Sequence, residues 1–351
     1  MEKKATSILS YIEAFCYKFK AVFLILYIAL MVAVPFLDIN LVNTQIIILI
    51  GVYAMLGMGL NILVGYTGLV SLGHAGFYAI GAYCCALLET KLGVSFWPAL
   101  IASGLLSAFI GFLLGLPSLR LSGSYLSIVT LGFCEIVVMV LKQWESVTNG
   151  NYGVRNIVSP SFFGIELTMY NGGLIVLMMI LVLIIGIACL MIRNSDAGRC
   201  FRAIKDDELA ADMMGIKASR YKIMAFVVSA FITGIAGGFY AVTRTYIEPT
   251  SFNFDVSILI LSVVIVGGKG TIRGMVFGAA VLQLFPQVFR FLDDWRYVVY
   301  GLLLILMMRF RPQGVLGWES TQPYHLSKET KMLLAKKEVP AAEDAPKGGS
   351  V

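Results

Sequence analysis

Residues 44–64 read TQIIILIGVYAMLGMGLNILV, a run without a single charged side chain. A membrane-spanning helix needs about 20 mainly apolar residues, so this run predicts one. The residues that follow, GYTGLVSLGHAG at 65–76, combine four glycines with Thr67, Ser71 and His74. Polar backbone at membrane depth is tolerated only where protein or a water-filled cavity satisfies it. The segment is therefore either a broken helix that lines a solute path or a turn between two helices.

The composition of the whole chain agrees with a membrane protein. Its 351 residues are 58% hydrophobic and only 14% charged, whereas soluble domains carry about 25% charged residues. The 27 basic and 21 acidic residues leave a net charge of +6, too small an excess for a nucleic-acid-binding module. These values exclude an ordinary soluble enzyme, a disordered protein and a nucleic-acid partner. They predict an all-α polytopic membrane protein in a lipid bilayer.

The apolar runs predict ten transmembrane helices, or eight if an adjacent pair does not cross. They lie at 21–37, 44–64, 74–88, 96–116, 124–141, 172–192, 223–243, 256–268, 275–292 and 297–308. With the N-terminus inside, 21 of the 27 Lys and Arg residues lie on the inner side, as the positive-inside rule expects. Both termini are therefore predicted to be cytoplasmic.

This topology divides the chain into three parts. Residues 1–20 form a cytoplasmic N-terminal segment, and residues 21–318 form the transmembrane domain. Residues 319–351 are rich in Lys, Glu, Ala, Pro and Gly, a composition typical of a disordered, charged cytoplasmic tail.

Polar and small residues inside the spans suggest two different roles. The fourth span carries small residues at every fourth position, which places them on one helix face and allows a close helix contact; they are Ala99, Ser103, Ser107, Gly111 and Gly115. Glu135 is the one Asp, Glu, Lys or Arg residue well inside a predicted span. Four interpretations of it stay open: contact with the ammonium group of a solute, proton relay, a hydrogen bond to a neighbouring helix, or a position near the exterior end of the span. Asn61 likewise either lines a solute path or serves as a structural hydrogen-bond partner.

The most polar inner loop is residues 193–222, RNSDAGRCFRAIKDDELAADMMGIKASRYK. Asp206, Asp207 and Glu208 suit the N-terminus of a short helix, and Gly215 suits its C-terminus. A helix of about two turns would show Ala, Leu and Met side chains that it cannot bury alone. This helix either docks into a groove of a partner or lies on the bilayer surface.

Motifs of several enzymes are missing from the sequence. The string GGKGT at 267–271 lacks the spacing of a nucleotide-binding P-loop, so we expect no ATPase site on this chain. His74 and His325 stand far apart, and the six cysteines show no CxxC spacing. We therefore predict no metal site and no catalytic residues.

At several of these stretches the chain resembles the permease subunits of bacterial ABC importers for branched-chain amino acids, specifically the larger M-type subunit. The stretches are GLNILVGYTGLVSLGHAGFYAIGAY at 59–83, LRLSGSYLSIVTLGFCEIV at 119–137, GRCFRAIKDDELAADMMGI at 198–216 and YGLLLILMMRFRPQGVLG at 300–317. Together with the sequence between them, they extend the resemblance over residues 44–318.

The resemblance implies that the inner loop contacts a cytoplasmic ATPase. Importer permeases carry a Glu-Ala-Ala motif with a Gly four residues after the second Ala, and Ala210, Ala211 and Gly215 fit that spacing. Leu209 occupies the Glu position and Glu208 precedes it, so the motif is degenerate. The expected coupling residues are Gly198, Arg199, Arg202, Asp207, Glu208, Ala210, Ala211, Met214 and Gly215.

The resemblance also implies partners and a solute path. The partners are two cytoplasmic ABC ATPase subunits, a second homologous permease subunit and an extracytoplasmic solute-binding protein, in a bacterial cytoplasmic (inner) membrane. ATP and Mg would bind to the ATPases, and no cofactor to this chain. The expected path residues are Asn61, Gly65, Gly68, Ser71, Gly73, His74 and Glu135. The outer segment TNGNYG at 148–153 departs from the family pattern where the binding protein would dock.

Two other functions stay open at this point. The same type of permease also serves urea, short amides or sugars. An ion-coupled carrier or channel, with Glu135 as the ion site, is the alternative from another class.

Overall fold

The computed structural model describes residues 41–118, 123–162 and 165–288, together with 295, 301, 302, 305, 309 and 314–316. All of them belong to one compact unit, Met1–Gly317. The predicted span at 21–37, most of the span at 297–308, the N-terminal segment 1–20 and the tail 319–351 lie outside the described residues.

Helices dominate the described chain. Eleven α-helices are present in it, α1 Leu41–Asn61, α2 His74–Leu92, α3 Phe96–Ser118, α4 Ser124–Gln143, α5 Glu145–Thr148, α6 Gly173–Asn194, α7 Asp196–Asp206, α8 Glu208–Met213, α9 Ala218–Arg244, α10 Phe254–Gly267 and α11 Ile272–Val288. A π-helical stretch, Ile62–Thr67, continues α1; we call it the π segment. Short 3-10 turns lie at Gly150–Tyr152 and Pro249–Phe252.

Four two-residue strands complete the secondary structure of the described residues. They are β1 Val154–Arg155, β2 Ser161–Phe162, β3 Ile165–Glu166 and β4 Tyr246–Ile247. Strands β1 and β4 pair antiparallel, and so do β2 and β3.

Six helical segments in the described chain are long and apolar enough to cross a membrane. They are Thr44–Thr67, Phe96–Pro117, Tyr125–Gln143, Gly173–Asn194, Ala218–Arg244 and Pro249–Gly267, and each contains or overlaps a predicted span. The predicted spans at 74–88 and 275–292 coincide with α2 and α11, which are helical but are not among these six. The chain is thus a helical protein with several potential membrane crossings.

Helix α2 lies inside the bundle. Its residues Phe77, Ala82 and Cys85 are fully buried, and Gly81 closely approaches the backbone of Gly234 in α9. Its hydropathy is lowered by polar residues near its two ends, His74 at the first position and Glu89, Thr90 and Lys91 near the last.

The predicted face of small residues on α3 forms the contact with α9 and α2. Ser103 and Ser107 are completely buried. The Ser103 hydroxyl donates to the Gly234 carbonyl at 3.2 Å, and the Ser107 hydroxyl donates to the Phe77 carbonyl at 3.3 Å. Small side chains at this face let the helix backbones approach closely, so the predicted packing role is confirmed.

The bundle has two distinct ends. At one, the loop end, the π segment lies beside α7 and the turn after α10. At the other, the strand end, β1 pairs with β4 and so joins the chain that follows α4 to the chain that follows α9. Each of these contacts joins segments that the predicted topology places on the same side of a membrane.

Candidate functional site

The inner loop begins with a tight turn between α6 and α7. The Ser195 hydroxyl caps α7 by accepting from the Gly198 N–H at 3.3 Å. Gly198 is buried, and a Cβ there would lie only 2.3 Å from the Ile192 carbonyl oxygen, so a side chain does not fit. The Arg202 guanidinium donates to the carbonyls of Gly198 and Arg193. Gly198 and Arg202 therefore shape this turn, while Arg199 pairs with Asp196 on the surface.

Helix α7 is an element that sequence reasoning missed. Phe201 is completely buried and Ile204 nearly so, and the Phe201 ring packs edge-on against Tyr221 of α9 at 6.1 Å between centroids. The spacing of Ala197, Phe201 and Ile204, after a Ser N-cap, is the signal that predicts such a helix. The apolar face of α7 anchors the loop to the bundle.

Helix α8 confirms the predicted short helix. The Asp207 carboxylate accepts from the N–H groups of Leu209 and Ala210 at 2.9 and 3.0 Å, which is the N-cap arrangement. Gly215 follows the helix with a φ of +84°, a left-handed conformation that ends helices. The helix is therefore fixed at both ends by its own sequence.

The two faces of α8 differ sharply in exposure. Leu209, Met213 and Met214 are 73%, 80% and 83% exposed, and Ala210 is also exposed. Ala211 instead is buried, in a small cluster with Ile204 of α7 and Ala218 of α9. Exposed apolar patches of this kind mark interaction sites. Ala211 packs the loop together, and the other side chains form what we call the α8 face.

An ion pair fixes α8 to the membrane helices. The Lys222 ammonium in α9 donates to the Glu208 carboxylate at 2.5 Å, and the two side chains are 5% and 48% exposed. Glu208 is therefore engaged within its own chain. Lys222 was not predicted because a loop sequence does not show which residue of the next helix it will meet.

The path residues Asn61, Gly65 and Gly68 lie where the π segment meets the rest of the loop end. Asn61 is buried, and its Oδ1 accepts from the Gly270 N–H at 2.8 Å. The Gly65 carbonyl accepts from the Lys205 ammonium at 2.9 Å, and Gly68 has a φ of +75°. These predicted residues come together, and Lys205 and Gly270 join them as partners that the sequence did not reveal.

Ser71 and His74 belong to a chain of hydrogen bonds that crosses three helices. The Ser229 hydroxyl donates to the Gly59 carbonyl at 2.7 Å, so it accepts from His74 Nε2 at 2.8 Å. His74 Nδ1 then accepts from the Ser71 hydroxyl at 3.2 Å, and Ser71 accepts from the Gly73 N–H at 3.4 Å. The imidazole is neutral in this arrangement and is completely buried. It joins α1, α2 and α9.

Glu135 lies apart from these residues, on the outer face of α4. The inner face of α4 packs well, with Thr130 and Cys134 fully buried. Thr130 also accepts from the Leu72 N–H at 3.0 Å, and the Ser127 hydroxyl donates to the Val70 carbonyl at 3.0 Å. Helix α4 therefore borders the Gly-rich segment, while its Glu135 side chain points away from the described chain.

The outer faces of α3 and α4 have different compositions. The exposed side chains of α3 are large and apolar, as lipid requires, and include Ile101, Leu105, Phe109 and Leu116. The exposed face of α4 also carries large apolar side chains, among them Ile128, Ile136 and Met139, but it adds the carboxylate of Glu135. An ionised side chain against lipid is costly. The α4 face thus carries an acidic group that the α3 face lacks.

A cavity of about 600 Å³ lies at the strand end. Its lining includes the exposed basic residues Lys91 and Arg155. Lys91 donates to the Ser146 carbonyl at 2.9 Å, and the Arg155 guanidinium lies 5.3 Å from the centre of the Tyr246 ring. The predicted outer segment 148–153 forms part of the same rim, with Asn149 in a left-handed conformation.

Metal binding finds no support in the described residues. Nowhere among them do three or more His, Cys, Asp or Glu side chains come together in a group that could hold a metal ion.

The chain is similar to known transport proteins. Residues 43–308 match a family described as "Branched-chain amino acid transport system / permease component". The high-affinity branched-chain amino acid transport system permease protein LivM of Escherichia coli (strain K12) is 37% identical over 316 residues, which cover 84% of this chain and 74% of that protein. LivM of Salmonella typhimurium is 36% identical with the same coverage.

A more distant relative is LivH of Escherichia coli (strain K12), which is 24% identical over 288 residues, covering 76% of this chain and 91% of LivH. No solved structure matches the chain. The family match covers well over half of the sequence, and the agreement with LivM extends over most of it. The chain belongs to the family of permease components of branched-chain amino acid transport systems.

Proposed function

We propose that this chain is a membrane permease subunit of an ABC importer that carries Leu, Ile and Val across a bacterial cytoplasmic membrane. Separate ATPase subunits drive it and an external solute-binding protein supplies the solute. The observation that carries the proposal is the exposed apolar α8 face, held on the membrane helices by the Glu208–Lys222 ion pair in a chain of this family. ATP and Mg bind to the ATPases and not to this permease.

The α8 face serves as the docking surface for an ATPase. Leu209, Met213 and Met214 project from a short helix that the loop holds against α7 and α9. A short amphipathic helix of this kind fits a groove on a partner. The buried Phe201 and the Lys222–Glu208 pair keep the helix from moving independently of the bundle, so a moving ATPase displaces the membrane helices as well.

The predicted topology places this face in the cytoplasm. The Val315 and Leu316 N–H groups donate to the carbonyls of Val266 and Gly267 at 2.9 and 3.1 Å. The chain therefore returns to the end of α10, which requires an even number of crossings between residues 267 and 315. This agrees with ten spans, in which both 275–292 and 297–308 cross, and equally with eight, in which neither of them does.

The solute path runs along the outer face of α4, between this chain and a second permease subunit. An amino-acid zwitterion that leaves water without polar partners loses several kcal/mol or more. Glu135 is exposed on this face and provides a carboxylate for its ammonium group. His74, with both ring nitrogens already bonded inside the chain, supports the bundle beside this path.

The solute-binding protein docks at the strand end. The cavity there presents Lys91 and Arg155 in fixed positions, and these cations suit acidic side chains on a partner. Residues 148–153, which depart from the family pattern, lie on this rim, and their sequence would affect which binding protein docks there.

Transport assays on the assembled complex test the proposal. The permease is co-expressed with its ATPases and second permease, reconstituted in liposomes and supplied with the binding protein. We expect uptake of labelled leucine that requires ATP and that excess isoleucine or valine suppresses. Suppression by urea, short amides or sugars instead would assign a different cargo. Uptake by this chain alone along an ion gradient would identify a carrier and refute the proposal.

A further inference from the structure

The last turn of α7 contacts the π segment through one side chain. The Lys205 ammonium donates to the Gly65 carbonyl at 2.9 Å. The aliphatic part of the same side chain passes over Gly68, where a Cβ would lie 3.2 Å from Lys205 Cγ. Lys205 therefore contacts the π segment at Gly65 and the residue that follows the segment, Gly68, and both lie about 140 residues earlier in the sequence.

The acceptor of this bond lies at a helix end. The π segment ends at Thr67, and both Gly68 and Leu69 donate their N–H groups to the Leu63 carbonyl. Carbonyl groups in a last helical turn have no donor further along the helix, and a cation is favourable beside them. Lys205 supplies both the donor and the positive charge to the Gly65 carbonyl.

The same π segment is connected to a second element. Asn61 Oδ1 accepts from the Gly270 N–H in the turn between α10 and α11. Gly65 leaves room for this bond, because a Cβ at Gly65 would lie 2.1 Å from Asn61 Oδ1 and 2.7 Å from the Gly270 nitrogen. A displacement of the π segment would therefore reach the α10–α11 turn as well.

We propose that Lys205 is a positioning residue that transmits movement of the docked α8 to the break between α1 and α2. This inference rests on the proposed function. Helices α7 and α8 are separated only by Asp207, so an ATPase that moves α8 also moves Lys205. The Lys222–Glu208 pair carries the movement to α9, and Lys205 carries it separately to the π segment. Lys205 contacts neither solute nor nucleotide in this role.

The substitution Lys205→Met tests the inference, because methionine keeps much of the length of the side chain and removes its donor and charge. The variant is assembled into the full complex, and leucine uptake and ATP hydrolysis are measured together in liposomes. We expect normal assembly and near-normal ATP hydrolysis, with leucine carried per ATP reduced about tenfold, the factor that 1.4 kcal/mol represents. Lys205→Arg should restore most of the coupling, since arginine also donates to a carbonyl.

Lys217→Met is the matched control, since Lys217 is an exposed lysine of the same loop. It should leave leucine carried per ATP unchanged. A Lys205→Met complex that couples like the unaltered one would overturn the inference. So would one that fails to assemble or that loses uptake and hydrolysis in equal proportion, because both results indicate a purely structural lysine. Absence of ATP-driven leucine uptake in the unaltered complex would instead refute the proposed function.

Discussion

Replacing Leu209 and Met213 together with alanine removes two of the large side chains of the α8 face. They are 73% and 80% exposed in the chain, so most of their surface is available to an ATPase. Complete burial of one such side chain is worth about 1.5–3 kcal/mol. About three quarters of that for each residue gives about 2.3–4.5 kcal/mol for the pair, which corresponds to a Kd for the ATPase that is weaker by a factor of roughly 40 to 1,600.

The assay is binding of the ATPase subunits to the purified permease in detergent, followed by ATP-driven leucine uptake in liposomes. The permease itself should unfold at an unchanged temperature, because neither side chain packs inside it. Leu92→Ala is the matched control, since Leu92 is 70% exposed at the opposite end of the bundle, and it should leave ATPase binding unaltered. Unchanged ATPase affinity of the double variant would show that the α8 face is not the docking surface.

Two further predictions concern contacts inside the chain. Glu208→Gln leaves the buried Lys222 ammonium unpaired and should destabilise the loop by about 1–2 kcal/mol, a value between those for exposed and buried ion pairs. Adding Lys222→Met to this variant should raise the thermal unfolding temperature again. A further decrease of that temperature would contradict the ion-pair role. His74→Ala deprives two serine hydroxyls of a partner, each costing about 1–3 kcal/mol when buried, so the unfolding temperature in detergent should fall by more than for Ser229→Ala. Equal unfolding temperatures for His74→Ala and the unaltered chain would contradict the hydrogen-bond chain.

Features encoded locally could be predicted from the sequence. The apolar runs locate the six described spans because hydropathy is a property of each run alone. The ends of α8 are also local, since Asp207 caps one end and Gly215 follows the other. The small-residue face of α3 was predictable because a four-residue period fixes a helix face, whichever helix packs against it.

Features that depend on distant contacts could not be predicted. Lys205 and Ser229 lie 140 and 170 residues from the carbonyl groups to which they donate, and Lys222 lies 14 residues from Glu208, in the next helix. The burial of Ala211 could not be predicted either, because the family motif identifies the residue but does not show which side of α8 is covered by α7 and α9. Helix α7 is different, since its Ser195 cap and apolar spacing were available and were obscured by the many charges around them.

The path residues divide in the same way. Composition singled out Asn61, His74 and Glu135 as polar groups among apolar ones, but it gave no distinction between a path and a structural bond. The structure gives Asn61 and His74 partners within the chain and leaves Glu135 on an outer face. Their roles in transport stay predictions.

The most direct test of the central claim is a comparison of leucine uptake into two kinds of liposome. One kind contains this chain alone, and the other contains the chain with its second permease, ATPases and binding protein. If the chain is a passive permease driven from the α8 face, liposomes should accumulate leucine only when they contain the complete assembly. ATP must also be present on the side of the membrane where the α8 face lies. Accumulation by the chain alone, or by the complete assembly without ATP, would contradict the account.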